Sequence, residues 1–249
     1  MLIKIDNSKK AGNSNIQILY PGLSVNDTDT GYATIGRIDQ AKFTPGALIA
    51  MHPHINDDIL TYLRSGKVEH KDSEGYIEFI EPTRLMLMKA GKSFFHEELV
   101  LEEGGTLEAL QIFMRPKEKD SKPEVIFSEL DDAYSLNKWR LIASPTKDSK
   151  LQFSSDTWFY DMKLTDKGIF NLPPLPKEDD TMLFYVFSGE VETSNGMTVS
   201  RGESILVKNE SFTFTTKQGA ELAVFITNEN AIYYDRGMYS GNLRPENTI

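Results

Sequence analysis

The 249-residue chain contains no cysteine. Disulfides, thiolate nucleophiles, iron–sulfur clusters and thiolate zinc sites are therefore excluded together, and any metal must be held by nitrogen and oxygen. Histidine is nearly as scarce. There are 4, at His52, His54, His70 and His96, and none lies beyond position 96. Metal chemistry, if present, belongs to the first half. Long apolar runs are also lacking: no stretch approaches the roughly 18 apolar residues of a spanning helix, and the amino-terminal MLIKIDNSKKAGNSN has no apolar signal core. A cytoplasmic protein is expected, and Asn26-Asp27-Thr28 and Asn209-Glu210-Ser211 are then chance matches to the glycosylation sequon. Positive charge is in deficit. Against 37 Asp and Glu stand 27 Lys and Arg, for a net charge of -10 and a pI near 5.0. That balance repels phosphate backbones and anionic lipid, so neither direct nucleic-acid binding nor membrane binding is expected.

What is present reads as an ordinary packed protein, with 39% hydrophobic and 26% charged residues. The length suggests two modest domains. From about Gly31 to Met114 short runs rich in Val, Ile, Thr, Tyr, Phe and Leu alternate with turn residues, the rhythm of antiparallel β-structure. Strands are expected over 32–43, 47–54, 59–65, 67–71, 76–80, 85–90, 93–99 and 108–115. Residues 116–123, PKEKDSKP, form a charged, proline-bounded break. A helical turn is expected around 129–134. Strands then resume over 139–144, 156–163, 182–187, 190–193, 197–200, 204–207, 211–216 and 222–227. Thr61-Tyr62-Leu63-Arg64-Ser65-Gly66-Lys67-Val68-Glu69 is echoed by Phe184-Tyr185-Val186-Phe187-Ser188-Gly189-Glu190-Val191-Glu192. The fold class expected is all-β: two tandem jelly-roll β-barrels, 1–122 and 123–249, each closing on itself to protect its strand edges.

His52-Pro53-His54 ends an apolar run, and residues i and i+2 of a strand share a face. His96 and Glu98 repeat that spacing. Two such strands from opposed walls would supply three imidazoles and a carboxylate, a set suited to Fe(II), Mn(II), Ni(II), Cu(II) or Zn(II) that leaves two octahedral positions open. A lone His-x-His is usually two surface or stacked histidines. The joint pattern is the stronger signal, because three of the 4 histidines fall into such pairs.

Gly46, five residues, His52-x-His54, three residues, Asp58 and then Gly66 resembles the first cupin motif, whose acidic residue is usually Glu and whose final glycine comes one position earlier. Pro82 through His96 resembles the second. Within the cupins, HPHINDDILTYLRSGKVEHKDSEG, MKAGKSFFHEE, LQIFMRP and KWRLIASP look like the pirin family of bicupins, closely over about 31–145 and in outline beyond. The resemblance implies that His52, His54, His96 and Glu98 bind one metal, Fe(II) in this family. It also implies one of two activities: oxidative opening of quercetin-type flavonols by dioxygen, as in bacterial members, or action as a transcription cofactor, as in animal members. On that basis the leading expectation is a dioxygenase acting on a flavonol-like or other phenolic small molecule, with Glu98 also accepting the hydroxyl proton. The competing expectation is a metal-dependent redox sensor or co-regulator working through a protein partner.

The sequence departs from the family in two places. After His-Pro-His stands Ile55-Asn56-Asp57-Asp58 instead of Arg-Gly-aromatic-Glu, which changes the charge and shape expected at the pocket mouth. Pro82-Thr83-Arg84 replaces the usual Pro-Gly-Asp, putting a β-branched residue where the turn favours positive φ, so a rearranged turn is expected. Aligning the second half on the first puts Leu175 and Lys177, and Thr215 and Lys217, at the ligand positions, so a metal-free, structural second unit is expected. Asp58 is read as a residue beside the ligands or at the mouth, Glu97 as solvated, His70 as packed or hydrogen-bonded, and Phe94 as pocket lining or core. Gly91-Lys92-Ser93 lacks the upstream glycine of a phosphate loop, and no serine sits in a nucleophile elbow.

Overall fold

A computed structural model describes residues 1–244. Its strands fall into three sheets. The first has four strands in the order Leu48–His54, Phe94–Val100, Val68–Asp72, Ile77–Ile80. The second has seven, in the order Glu124–Glu129, Arg84–Lys89, Asp58–Ser65, Leu107–Met114, Ile35–Phe43, Ile16–Leu19, Ala11–Gly12. The third has ten. Its main path runs Leu2–Ile5, Ser204–Lys208, Thr181–Thr193, Ala220–Thr227, Thr157–Leu164, Arg140–Ser144, Leu151–Gln152.

Every pairing between named strands is antiparallel except Arg140–Ser144 with Leu151–Gln152. The hydrogen-bonded order is open at both ends of each sheet, so the expected closed barrels are sandwiches of facing sheets with a jelly-roll fold.

Side-chain alternation explains the stacking. On the strand Asp58–Ser65, Ile59 and Leu63 point into a core shared with the four-stranded sheet, together with Val68, Phe94 and Val100. Leu60 and Tyr62 point the other way, into a core shared with Phe159, Leu183, Tyr185 and Phe225 of the ten-stranded sheet. This strand is therefore apolar on both faces, which is why its sequence reads as a continuous run. A third core, around Phe184, Val186, Phe214 and Val224, lies within the second half.

The strands expected over 47–115 lie within a residue or so of expectation and the one expected over 32–43 starts at Ile35, but Leu2–Ile5, Ala11–Gly12 and Ile16–Leu19 are strands that the sequence reading did not include. The helical turn expected around 129–134 is absent. The strand Glu124–Glu129 instead joins the seven-stranded sheet beside Arg84–Lys89. The runs at 182–187 and 190–193 are one strand, Thr181–Thr193, bulged near Ser188 with Gly189 at φ 78. The Pro82-Thr83 turn closes through mutual backbone hydrogen bonds between Glu81 and Arg84, with Thr83 kept out of positive φ. Two segments cross between the halves: Leu2–Ile5 pairs with Ser204–Lys208, and the end of the chain returns to the first half, where Arg115 donates from Nε to Ser240 O. Among the described residues no helix is long and apolar enough to cross a membrane.

Candidate metal centre

The strands Leu48–His54 and Phe94–Val100 are paired antiparallel, with His96 opposite His52 and Phe94 opposite His54. The i, i+2 rule therefore acts on both strands and across them, and it gathers His52, His54 and His96 on the inner face. Nε2 of His54 lies 3.1 Å from Nε2 of His52 and 2.9 Å from Nε2 of His96, and the remaining side of the triangle is 3.1 Å. Neutral imidazoles cannot satisfy such a triangle among themselves. Each Nε2 is either a donor or an acceptor, so at least one side opposes proton to proton or lone pair to lone pair. A cation facing three lone pairs removes the conflict. Metal–nitrogen bonds of about 2.1 Å put adjacent octahedral ligands about 3.0 Å apart and tetrahedral ones about 3.4 Å apart, so the observed spacing fits one face of an octahedron.

The ring orientations agree with this. His52 places its other nitrogen, Nδ1, 2.9 Å from the carbonyl of Ala50, which can only accept, so the proton sits on Nδ1 and Nε2 is bare. Burial pushes the pKa of His52 down, and burial together with the neighbouring imidazoles lowers that of His96 to about 2. Both rings are neutral near pH 7, the state a metal requires.

Glu98 lies on the same inner face but on the far side of the His96 ring. Its Oε1 stands 3.9 Å from His96 Nδ1, and it falls within 4.8 Å of donor atoms of His70 and His96. His52 and His54 belong to the other such group, with His96. The pairing register shifts between His96 and Glu98, at a bulge in the middle of the site. Oε1 is buried without a hydrogen-bond partner, and burial raises the carboxyl pKa to about 7.

The remaining residues sort clearly. His70 is buried and hydrogen-bonded, with Nε2 2.8 Å from Asp72 Oδ2. Phe94 is buried in the core and packs beside both His70 and His96. Glu97 turns outward to Lys71, 3.5 Å away. Asp58 is neither beside the ligands nor at the mouth: its Oδ2 accepts from the backbone N–H and the hydroxyl of Ser154, at 2.8 and 2.6 Å, joining the two halves. The acidic neighbour of the site is Asp57, whose Oδ2 lies 3.7 Å from His54 Nδ1. In the second half, Lys177 pairs with Asp156 and Lys217 with Glu192 at the surface.

Sequence reasoning missed one wall of the site. Tyr239, from the returning end of the chain, packs its ring 4.9 Å from His54 and 5.4 Å from Phe113, and Asp57 accepts from the backbone N–H of Tyr239 and of Ser240. The Arg37 guanidinium lies over Phe113 and Tyr239 at 5.2 and 5.1 Å. Nothing local to residues 37, 57 or 239 announces this, because the contacts span most of the chain.

Comparison with known proteins agrees with the fold. The family model described as Pirin matches residues 6–114. A quercetin 2,3-dioxygenase of Escherichia coli K12 is 28% identical over 131 residues, 52% of this chain and 55% of that protein. The chain thus spans about half the length of that relative. A pirin-like protein of Caulobacter vibrioides is 26% identical over 207 residues, 74% of this chain and 68% of the relative. The crystal structure of the bacterial pirin YhhW of Escherichia coli in complex with nickel(II) superposes with a TM-score of 0.75 at 21% identity, covering 92% of this chain and 99% of that one.

Proposed function

The chain is a pirin-family cupin protein, and from that premise we propose that it holds one divalent metal, Fe(II), on His52, His54 and His96, with Glu98 completing the set once its side chain turns from the Nδ1 side of His96 toward the Nε2 triangle, and acts as a dioxygenase on a flavonol-like or other phenolic small molecule. The observation that carries the reading is the Nε2 triangle with sides of 2.9 to 3.1 Å. Quercetin-type chemistry is suggested by the dioxygenase relative. The proposed organisation is a metal-binding cupin unit over 1–122 and a metal-free one over 123–249, in a cytoplasmic protein.

A redox-active divalent ion supplies Lewis acidity toward a phenolic oxygen and electrons for chemistry with dioxygen. The chain's own residues do the rest. His52, His54 and His96 would face the ion with their Nε2 atoms. Glu98, whose pKa burial raises to about 7, would in its ionised form take the substrate's hydroxyl proton on Oε1. Phe94, Phe113 and Tyr239 keep water from the inner side of the imidazoles, which strengthens every electrostatic contact there.

The test is elemental analysis of the purified protein beside its His52→Ala variant, followed by oxygen consumption of anaerobically reconstituted Fe(II) protein with flavonols and catechols. One metal per chain, lost in the variant, and substrate-dependent oxygen uptake are expected. Metal without uptake above buffer with any of these compounds overturns the dioxygenase reading. Metal-free protein indistinguishable from the variant overturns the metal centre as well.

A further inference from the structure

Beyond the Nε2 triangle lies a second line of buried groups. The strand Val68–Asp72 pairs with Phe94–Val100 on the side away from Leu48–His54, with Asp72 opposite His96 and His70 opposite Glu98. Asp72 Oδ2 is 2.8 Å from His70 Nε2, and His70 Nδ1 is 3.4 Å from His96 Nδ1. The side chains of all three are inaccessible to solvent. We infer that Asp72 and His70 are positioning residues, a tautomer-setting relay that keeps the His96 proton on Nδ1 and its lone pair on Nε2, facing His52 and His54.

The assignment follows from donor and acceptor counts. Asp72 Oδ1 accepts from the backbone N–H of Glu74 and Tyr76 at 2.9 and 3.1 Å, so both oxygens of this carboxylate are acceptors and His70 Nε2 must carry a proton. A neutral His70 then has a bare Nδ1, which can only accept. The atom facing it at the long end of hydrogen-bond range is His96 Nδ1, which must donate. Glu98 Oε1, at 3.9 Å, is too far to take that proton instead. An imidazole with its proton on Nδ1 has its lone pair on Nε2, the atom in the triangle. Ala50 does the same for His52 in one step through a carbonyl; for His96 the chain uses a carboxylate and a second histidine. Outer partners of this kind fix ring orientation and raise ligand basicity.

The inference rests on the reading of His96 as a metal ligand, and the test separates the two. In the metal-free wild type, long-range 1H–15N spectra of the imidazoles are expected to place protons on His96 Nδ1 and His70 Nε2; a His96 proton on Nε2 overturns the relay, whether or not metal binds. In Asp72→Asn the amide oxygen is kept by the Glu74 and Tyr76 N–H groups, so its NH2 meets His70 Nε2 donor to donor and the relay inverts. Co(II) affinity, read by chelator competition, is expected to fall about 10–100-fold in Asp72→Asn and in His70→Leu. His70→Gln, whose amide donates to Asp72 and accepts from His96, is expected to recover most of it. Equal Co(II) affinity in wild type and His70→Leu, or equal losses in His70→Gln and His70→Leu, overturns the relay. These His70 variants decide the matter if Asp72→Asn does not fold. Failure of the wild type to bind Co(II) at all overturns the metal centre.

Discussion

Glu98 and the imidazoles make opposite demands on pH in the metal-free protein. Burial raises the folded-state carboxyl to about 7 from the ordinary 4.5, so the folded form holds a proton that the unfolded chain has lost. The stability gained this way is complete below pH 4.5 and lost as pH rises through 7, an effect of about 3 kcal/mol at 1.4 kcal/mol per pH unit. Metal-free Glu98→Gln, which cannot ionise, should therefore gain on wild type between pH 5 and pH 8 in urea titrations, and added metal should reverse the order. A difference that does not change with pH would contradict a buried, unpaired carboxylate. His96 behaves the other way. Its pKa falls to about 2 in the folded state, so its contribution is present above 6.5 and lost toward acid. The histidine pairs were legible as residues because period 2 is a local rule. The separate place of Glu98, on the Nδ1 side of His96, was not, because it depends on a bulge visible only once the strands are paired.

Among the elements, the strands between residues 35 and 114 were readable nearly residue for residue, since they are β-branched or aromatic runs between turn residues, whereas the short strands Leu2–Ile5, Ala11–Gly12 and Ile16–Leu19 were not. The segment after the break was misread as a helical turn because the strand Glu124–Glu129 exists by virtue of its partner Arg84–Lys89, 35 positions or more away in sequence. Asp58 illustrates the same limit. By spacing it belongs to the metal motif, yet at the head of the strand Asp58–Ser65 it binds Ser154 from the other half. Asp58→Ala should cost about 2 kcal/mol in chemical unfolding, from one lost carboxylate hydrogen-bond pair, while metal affinity in the folded protein stays unchanged. Loss of metal without loss of stability would place Asp58 at the site after all.

In the whole molecule the seven-stranded and ten-stranded sheets share a core, where Leu60, Leu85 and Ile112 meet Phe159, Leu183 and Phe225. Polar pairs cross the same surface: Tyr62 donates to Asp161 at 2.7 Å, Tyr185 to Gln40 at 2.7 Å, and Arg64 to Glu221 at 3.0 Å. Burying both sheets on one core couples their unfolding. Both tryptophans, Trp139 and Trp158, are in the second half and the proposed metal centre is in the first. Tryptophan fluorescence and the spectrum of bound Co(II) should therefore be lost at the same denaturant concentration. Two separated midpoints would show that the halves fold independently.

By itself the sequence determined the chemistry available to this protein: no thiolate, histidine confined to one half, and two i, i+2 pairs whose shared face follows from strand geometry alone. It determined the all-β class for the same reason, because period and turn residues are local. Only the tertiary structure decided which groups surround those candidate ligands. Antiparallel pairing set His70 and Asp72 behind His96, the returning chain end laid Tyr239 against His54, and sheet packing took Asp58 away to Ser154. Each of these contacts depends on residues far apart in the chain, and no spacing rule along a single strand contains that information.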